Sequence, residues 1–208
     1  MTTQRAVTDA LRREISTGRL APGSHVVQER LAAQLGVSRL PIRESLRVLE
    51  AECLLTYVPH VGYRVPQLDM GDLTEVFRLR AVLEDEVLRD AVVHTTGTNV
   101  ECLRAQIAGM TTSADAGDVA AAATTNRRFH QLVVQPSRMA RTKRILTQLW
   151  NVTEAYRPSY LRLDLDRIQR RHNDWVDALG TQDVNNVLAL NNAHRARTFA
   201  YLSDLVDA

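Results

Sequence analysis

The sequence predicts a mainly α-helical protein of two domains, and three observations support this prediction. Apolar residues recur at helical spacing along most of the 208-residue chain. Only 9 Gly and 6 Pro are present, which is few for an architecture rich in loops or strands. A short extended segment interrupts the helical pattern near residue 60, and Pro66 follows it as a domain boundary. We therefore expect residues 1–66 and 67–208 to form separate domains.

The first domain is predicted to hold three helices and a β-hairpin. Gly36 stands where the second helix ends, and glycine fits the left-handed cap of a helix best. Ser38 is a typical N-cap for the third helix, and Pro41 is tolerated in its first turn because no helical bond needs an N–H there. The predicted elements are helices over residues 4–17, 28–35 and 38–52 and strands over residues 54–58 and 62–65.

The second domain is predicted to be an antiparallel bundle of six helices. Apolar residues keep helical spacing throughout, and only short breaks separate the helices. Asp69 or Asp72 can cap the first of them, and Pro158 should kink the long fourth one. The helices are predicted over residues 70–94, 99–112, 117–135, 138–163, 165–179 and 181–206.

Composition argues against several classes of protein. No run of 18 apolar residues is present, and the N-terminus lacks the apolar stretch of a signal peptide, so we expect a cytoplasmic protein without a transmembrane helix. Cys53 and Cys102 are the only cysteines, too few for a disulfide framework or a cysteine-based zinc site. The first domain holds nine arginines and six acidic residues, a mildly basic balance that permits a polyanionic partner.

Residues 28–47 have the pattern of a helix-turn-helix. Ala32 is small, as is needed where a second helix crosses closely above the first. Gly36 allows the tight turn, and Val37 fills the joint between the two helices. In this motif the second helix, called the recognition helix, enters the major groove of DNA with its N-terminal part at the base edges. The pattern therefore indicates a DNA-binding domain.

Three arginines follow the predicted recognition helix at intervals of four residues. Arg39, Arg43 and Arg47 share one face, away from the apolar residues. Arg39 and Arg43 are the candidates for guanine O6 and N7, and Arg47, one turn further on, is the candidate for phosphate. Glu44 and Glu50 each lie three residues from Arg47, so local ion pairs on an ordinary solvated helix are the alternative. Periodicity alone leaves both interpretations open.

The segment GRLAPGSHVVQERLAAQLGVSRLPIRESLRVLEAECLL resembles the winged helix-turn-helix of the GntR family of bacterial transcription regulators. That family shows a G-x-L-x-P-G turn followed by L-A-x-x-L-G-V-S-R-x-P-V-R-E-A-L-x-x-L-x-x-E-G-L. The resemblance covers about residues 5–66. It is carried by Leu31, Ala32, Leu35, Gly36, Val37, Ser38, Arg39, Pro41, Arg43, Glu44, Leu46, Leu49, Glu52 and Leu54.

The resemblance also implies a wing, and it has two departures. The wing tip corresponds to His60, Val61 and Gly62, where glycine would let the backbone approach the minor groove or phosphates closely. Leu40 occupies a position that is usually Thr, and it could contact a thymine methyl group instead of donating a hydrogen bond. Cys53 occupies a position that is usually Gly, which bears on the bend from helix to wing.

Three histidines of the second domain lie on three different predicted helices. His130, His172 and His194 can converge in the core of an antiparallel bundle, and Asn126 shares a helical face with His130 because it lies four residues before it. Three imidazoles and one oxygen suit Zn²⁺, Ni²⁺ or a similar divalent ion. The alternative is that each histidine is an ordinary helix residue, because spacings of 42 and 22 residues are not a metal motif.

Residues 69–206 resemble the all-helical effector domain of the FadR subgroup of GntR regulators, the FCD domain. The family motif D/N-x-x-F-H-x-x-L corresponds to the run from Asn126 to Val133, and H-x-x-I/W-x-x-A-L to the run from His172 to Leu179. In metal-containing members these positions, with a histidine of the last helix, ligate a metal. The resemblance thus implies a site of Asn126, His130, His172 and His194. Asn replaces the more usual Asp, so the metal should bind more weakly.

Arg80 is the candidate for effector binding. It belongs to the run LRAVLE at residues 79–84, which resembles the family motif L-R-x-x-L-E. In the family this Arg faces the ligand cavity and can pair with a carboxylate. The alternative is an internal ion pair with Glu84, one helical turn further on.

We therefore expect an effector-controlled regulator that binds an inverted-repeat operator in double-stranded DNA as a homodimer, with the helices of residues 70–112 as candidates for the dimer seam. A small organic acid would bind near the metal and release a repressor from DNA. A metal-dependent enzyme is the first alternative, although no histidine has a Glu three residues before it. A DNA-binding protein without an effector is the second.

Overall fold

The computed structural model describes residues 3–156 and 165–207, and within these ranges the protein is mainly helical. Nine α-helices are present there: α1 Thr3–Ser16, α2 Gln28–Leu35, α3 Arg39–Ala51, α4 Met70–His94, α5 Gly97–Asp115, α6 Val119–Val134, α7 Ala140–Val152, α8 Leu165–Gly180 and α9 Val184–Val206. A 3₁₀ turn, Glu154–Tyr156, follows α7. The strands are β1 His25–Val26, β2 Thr56–Val58 and β3 Gly62–Arg64. This confirms the predicted fold class.

The described residues form two compact units. The first contains residues 3–68 and also the segment 147–156, and the second contains residues 69–146 and 165–207. Helix α7 therefore contributes its first half to the second unit and its last turns to the first.

The first unit packs α1 and α3 around an apolar core and adds a small antiparallel sheet. Leu11 of α1 and Ile42 and Leu46 of α3 are fully buried. The strand order is β1-β3-β2, so the predicted hairpin gains a third strand, in which Val26 pairs with Tyr63. A two-residue strand has no periodicity of its own, and only its pairing with β3 defines it.

The helix ends of the first unit follow the predicted residues with one difference. Gly36 is the C-cap of α2 in the left-handed region, at φ 62°. Ser38 occupies the N-cap position of α3, but its side chain makes no capping hydrogen bond. The expected position is therefore correct, and the expected capping bond is absent.

The second unit is built from α4 to α9, although one predicted helix is too long. Asp69 and Asp72 together form a capping box at the start of α4, so both proposed caps take part. The predicted helix over residues 138–163 instead ends at Val152, because the Thr153 hydroxyl and N–H both bind the Trp150 carbonyl and begin a 3₁₀ turn. The expected kink at Pro158 lies outside the described residues.

Side chains of the segment 147–156 bind the backbone carbonyls at the end of α3 in the first unit. The Gln148 side-chain amide donates to the Ala51 carbonyl at 2.9 Å, and the Asn151 amide donates to the Glu52 carbonyl at 2.7 Å. The Tyr156 hydroxyl accepts a bond from the Leu68 N–H at 3.0 Å. The last carbonyls of a helix have no partner within it, so this segment caps α3 from outside.

Candidate DNA-binding surface and metal centre

The recognition helix α3 has a buried apolar face, and the residues predicted to contact DNA lie outside that face. Ile42 and Leu46 are completely buried under the helix. The side chains of Ser38, Arg39, Leu40, Arg43 and Arg47 are all exposed. This arrangement follows from the 3.6-residue period, because positions four apart lie above one another. The predicted contact residues therefore form one accessible surface.

The local ion pairs that the sequence offered for Arg47 do not form. Both Glu44 and Glu50 lie within the described ranges, and neither makes a salt bridge with Arg47. Glu50 instead accepts a hydrogen bond from the Tyr63 hydroxyl at 3.3 Å. Burial and the Glu50 carboxylate raise the pKa of Tyr63, so this hydroxyl keeps its proton and remains a donor.

Glu29 is a neighbour of Arg39 that the sequence reasoning did not identify. Its Oε1 lies 3.5 Å from Arg39 Nη1, although both side chains are largely exposed. Glu29 is in the first turn of α2, and Arg39 is the first residue of α3. An exposed pair at this distance contributes little to stability, but it restricts where the guanidinium points.

The wing tip and the start of α3 border one open groove of about 490 Å³. Its lining includes Arg39, Leu40 and Arg43 from α3 and Val61 and Gly62 from the wing. Gly62 has φ 99°, a conformation that side chains rarely adopt, and a Cβ there would meet nothing within 4 Å. The backbone conformation of Gly62 therefore requires glycine, whereas the surrounding space does not. The missing side chain leaves the main chain accessible at the groove.

His60 lies at the exposed tip of the wing, next to this groove. Its φ is 64°, which is unusual for a residue other than glycine. Cys53 has the same feature at the bend from α3 to the wing, with φ 60°. The position where the family pattern has Gly is therefore a position where a left-handed backbone is needed.

Three histidines from α6, α8 and α9 converge in the second unit. His130, His172 and His194 each offer a ring nitrogen, and these atoms all lie within 4.8 Å of one another. The ring centroids are 5.0 Å apart for His130 and His194 and 5.3 Å apart for His130 and His172. A tetrahedral ion with Zn–N bonds of about 2.1 Å needs nitrogens about 3.4 Å apart, so small side-chain rotations would complete such a site.

Asn126 carries a buried amide oxygen on the same helix as His130. It lies one turn before His130 on α6 and is 2% exposed. Its Oδ1 is buried and has no hydrogen-bond partner among the described residues. A buried amide oxygen without a partner is costly, and a metal ion would satisfy it. The donor set of three imidazoles and one oxygen therefore fits a divalent ion.

Two aromatic rings surround the histidines, and the sequence reasoning did not identify either as part of the site. Phe129 stacks on His172 with centroids 4.1 Å apart. The Trp175 ring centroid lies 5.8 Å from that of His130 and 5.9 Å from that of His194. These rings fix the imidazole orientations and lower the local dielectric constant. The aromatic residues of the two histidine motifs were the available signal.

Arg80 lies in the core of the second unit beside Glu84. Its Nε donates to Glu84 Oε1 at 2.9 Å, and its guanidinium lies 4.5 Å from the Phe77 ring centroid. The internal ion pair that the sequence left open is therefore formed. Glu84 also accepts from Arg195 at 2.9 Å and from Asn191 at 3.1 Å, and neither partner was foreseen.

A domain with an exposed recognition helix and a wing, joined in one chain to a helical bundle that holds a cluster of three histidines, is the architecture of a DNA-binding protein with a separate ligand-binding domain. None of the described helices has the length and apolar character needed to span a membrane. Residues 3–65 match the family of bacterial regulatory proteins known as the gntR family, and residues 75–197 match the FCD domain.

The chain belongs to the GntR family and carries an FCD effector domain. It is an effector-responsive, DNA-binding transcription regulator, and its family and relatives are regulators rather than enzymes. A probable D-xylose utilization operon transcriptional repressor of Paenarthrobacter nicotinovorans is 34% identical over 182 residues, which are 85% of this chain and 78% of that protein. The Escherichia coli regulator McbR is 29% identical over 144 residues, 69% of this chain and 65% of McbR.

Solved structures of the family share the fold. The structure of E. coli McbR/YncC has a TM-score of 0.86 at 24% identity, and the match covers 99% of both chains. A regulator of Rhodococcus sp. RHA1 has a TM-score of 0.79 at 19% identity over 97% of both chains.

Proposed function

We propose that this regulator is a cytoplasmic repressor that a small carboxylate releases from its operator. It acts as a homodimer on an inverted repeat, since a two-fold protein presents its two recognition helices to matched half-sites. Residues 1–66 bind DNA, and residues 67–208 hold the metal and the effector. The repressor assignment is supported by the relative of P. nicotinovorans, whose name describes a repressor.

The DNA contacts divide by position on the exposed surface. Arg39 and Arg43, nearest the start of α3, read guanine, and Arg47 contacts phosphate. Leu40 is 54% exposed although it is apolar, and it contacts a thymine methyl group. The remaining contacts come from the N-cap of α3 and from the wing, and they go to the DNA backbone through Ser38, His60 and Gly62.

The convergence of the three histidines is the observation that carries the metal assignment. His130, His172, His194 and Asn126 hold a divalent ion, Zn²⁺ or Ni²⁺. Such an ion keeps its full +2 charge, because all four donors are neutral, and an ion that takes more than four ligands has a coordination position left for an anion. The chain thereby forms a cationic centre that attracts an anion.

Arg80 is the second group that recognises the carboxylate. Within the described residues it makes its hydrogen bond to Glu84 through Nε, so its terminal nitrogens can still take an acid in the two-pronged geometry of guanidinium and carboxylate. Glu84 keeps Arg80 from moving while Arg195 shares the negative charge of Glu84. An anion that engages Arg80 acts on α4, which begins at Met70, just beyond the wing.

The test compares two histidine variants. His172→Ala should lose the metal in elemental analysis of untagged protein purified without chelators, and its operator binding should no longer respond to added carboxylates. His94→Ala is the matched control, because His94 lies in the same domain outside the cluster and binds the Asp90 carbonyl. Metal-free wild-type protein with a normal effector response would overturn the metal assignment.

A further inference from the structure

Helix α4 has apolar residues on two sides. Its inner face is buried in the second unit through Leu73, Phe77 and Leu88. Its outer face also carries large apolar side chains, since Leu79 is 45%, Val82 65% and Val93 66% exposed. A helix that is apolar on both sides normally has a partner on both sides.

The outer face of α4 consists of seven exposed residues, and each lies three or four positions from another of them, which places them on one stripe. They are Glu75, Arg78, Leu79, Val82, Glu86, Arg89 and Val93.

The charged residues of α4 fall into two groups. Five of the nine make contacts within the second unit. Asp72 closes the capping box, and Asp90 accepts a hydrogen bond from Ser137. Arg80, Glu84 and Asp85 belong to one ion-pair cluster with Arg195. The other four form no ion pair with any residue that the structure describes. These four are Glu75, Arg78, Glu86 and Arg89, and all of them lie on the outer face of α4.

The four charges are arranged symmetrically about Val82. Glu75 and Arg89 lie seven residues before and after it, and Arg78 and Glu86 lie four residues before and after it. With a rise of about 1.5 Å per residue, the charges of each pair are equidistant from Val82, at about 10 Å and 6 Å. Along the helix the signs alternate as negative, positive, negative, positive, and each residue has its opposite at the mirror position.

This order of charges places opposite signs against each other only when the second copy of the helix runs in the opposite direction. In an antiparallel pair of α4 helices that cross at Val82, Glu75 faces Arg89 of the second copy and Arg78 faces Glu86. In a parallel pair, each charge would face its own copy. Opposite charges across an interface fix its register, and like charges exclude the wrong one.

We propose that the outer face of α4 is the homodimer seam, in which two copies of α4 pack antiparallel with Val82 at the two-fold axis. The occupant is a second copy of this chain, because the charge order matches its own reversal and places opposite signs at all four positions. Leu79 and Val82 supply the apolar centre. This inference rests on the proposed dimer and adds its seam and register.

The test uses two double variants with the same change in composition. Glu75→Arg with Arg89→Glu reverses both members of one facing pair, so every facing pair keeps opposite charges. Glu75→Arg with Arg78→Glu also exchanges one acid and one base, but it places like charges at all four facing positions. Both variants keep the net charge and change exposed residues only. Circular dichroism and thermal melting check that each full-length variant is folded.

Sedimentation equilibrium over a concentration series measures the dimer dissociation constant of each protein. The Glu75→Arg/Arg89→Glu variant should dimerise within about tenfold of the wild type, and the Glu75→Arg/Arg78→Glu variant should dimerise at least about 100-fold more weakly. Equal dimerisation of both variants would overturn the seam while leaving the dimer intact. Loss of the dimer in both would overturn the register. A monomeric wild type would overturn the dimer itself.

Discussion

Arg80 and Glu84, one turn apart on α4, form a buried ion pair with 2.9 Å between Nε and Oε1. The second carboxylate oxygen of Glu84 binds Arg195 at 2.9 Å and Asn191 at 3.1 Å. One carboxylate therefore serves two guanidinium groups and ties α4 to α9. Buried charges are tolerated only with such partners, so this network fixes how the two helices pack.

The two members of this pair should differ in their effect on stability. Glu84→Gln leaves two guanidinium groups facing a neutral amide and should lower the free energy of unfolding by about 3–5 kcal/mol. Arg80→Met should cost clearly less, because Glu84 keeps Arg195 and Asn191. Urea unfolding followed by circular dichroism measures both. Equal losses would contradict the central position of Glu84.

The arginines of α3 should affect DNA binding in two distinct ways. Arg39→Ala should cost about 1–3 kcal/mol of operator affinity and relax the preference at one base pair, because it removes a base contact. Arg47→Ala should weaken operator and random DNA alike and lower the salt slope by about 1, because it removes a phosphate contact. Gel-shift titrations at several salt concentrations distinguish them. Identical behaviour of the two variants would contradict the assignment.

Cys53→Gly should stabilise the first unit by about 0.5–1 kcal/mol. Cys53 has φ 60°, where a Cβ costs about 1–2 kcal/mol, and the greater freedom of glycine in the unfolded chain offsets part of the gain. Cys53→Ala is the control, because it removes the thiol and keeps the Cβ, and it should leave stability nearly unchanged. The urea midpoints of the three proteins give the order. Stabilisation by alanine alone would assign the effect to the thiol.

Asn126→Asp should bind the divalent ion more tightly. The substitution keeps the shape of the side chain and adds a negative charge, and ligand charge raises affinity for divalent ions by about tenfold or more. Asn126→Ala should bind more weakly than the wild type. Competition with a chromogenic chelator at fixed pH measures all three. Equal affinities would place Asn126 outside the coordination sphere.

Asp90→Asn should lower stability at neutral pH but not in acid. The Ser137 hydroxyl and the Arg138 backbone N–H donate to the Asp90 carboxylate and lower its pKa in the folded protein. A lowered folded pKa gives stability that is complete above the unfolded value of about 3.9 and is lost as the pH falls through the folded value. Urea midpoints should therefore differ at pH 7, and the difference should shrink as the pH falls below about 4. A difference that persists in acid would point to lost packing.

The sequence predicted those features of the fold that depend on local pattern. The bounds of α2 and α4, the left-handed cap at Gly36 and the exposed face of Arg39 all follow from helical period and turn chemistry. The sequence missed β1 and the end of α7. Val26 is a strand residue only because it pairs with Tyr63, and Thr153 stops α7 through a side-chain bond that competes with the helix.

The same distinction holds for the candidate site. Their positions on three predicted helices made the three histidines candidates for a metal site, and the resemblance to the family added what their spacing could not. Phe129 and Trp175 were not foreseen, because apolar aromatic residues at helical spacing are indistinguishable from core residues. Arg195 was not foreseen either, because its contact with Glu84 joins residues 111 positions apart. Contacts across such distances depend on the packing of helices and leave no local signal.

The segment 147–156 determines which pieces of this chain can be exchanged between regulators. A chimera that joined residues 1–66 to the effector half of another family member would keep the recognition helix intact. It would replace Gln148 and Asn151, the side chains that serve the carbonyls of Ala51 and Glu52. Grafting of operator specificity therefore needs a donor fragment in two parts, and the second part lies about eighty residues downstream of the first.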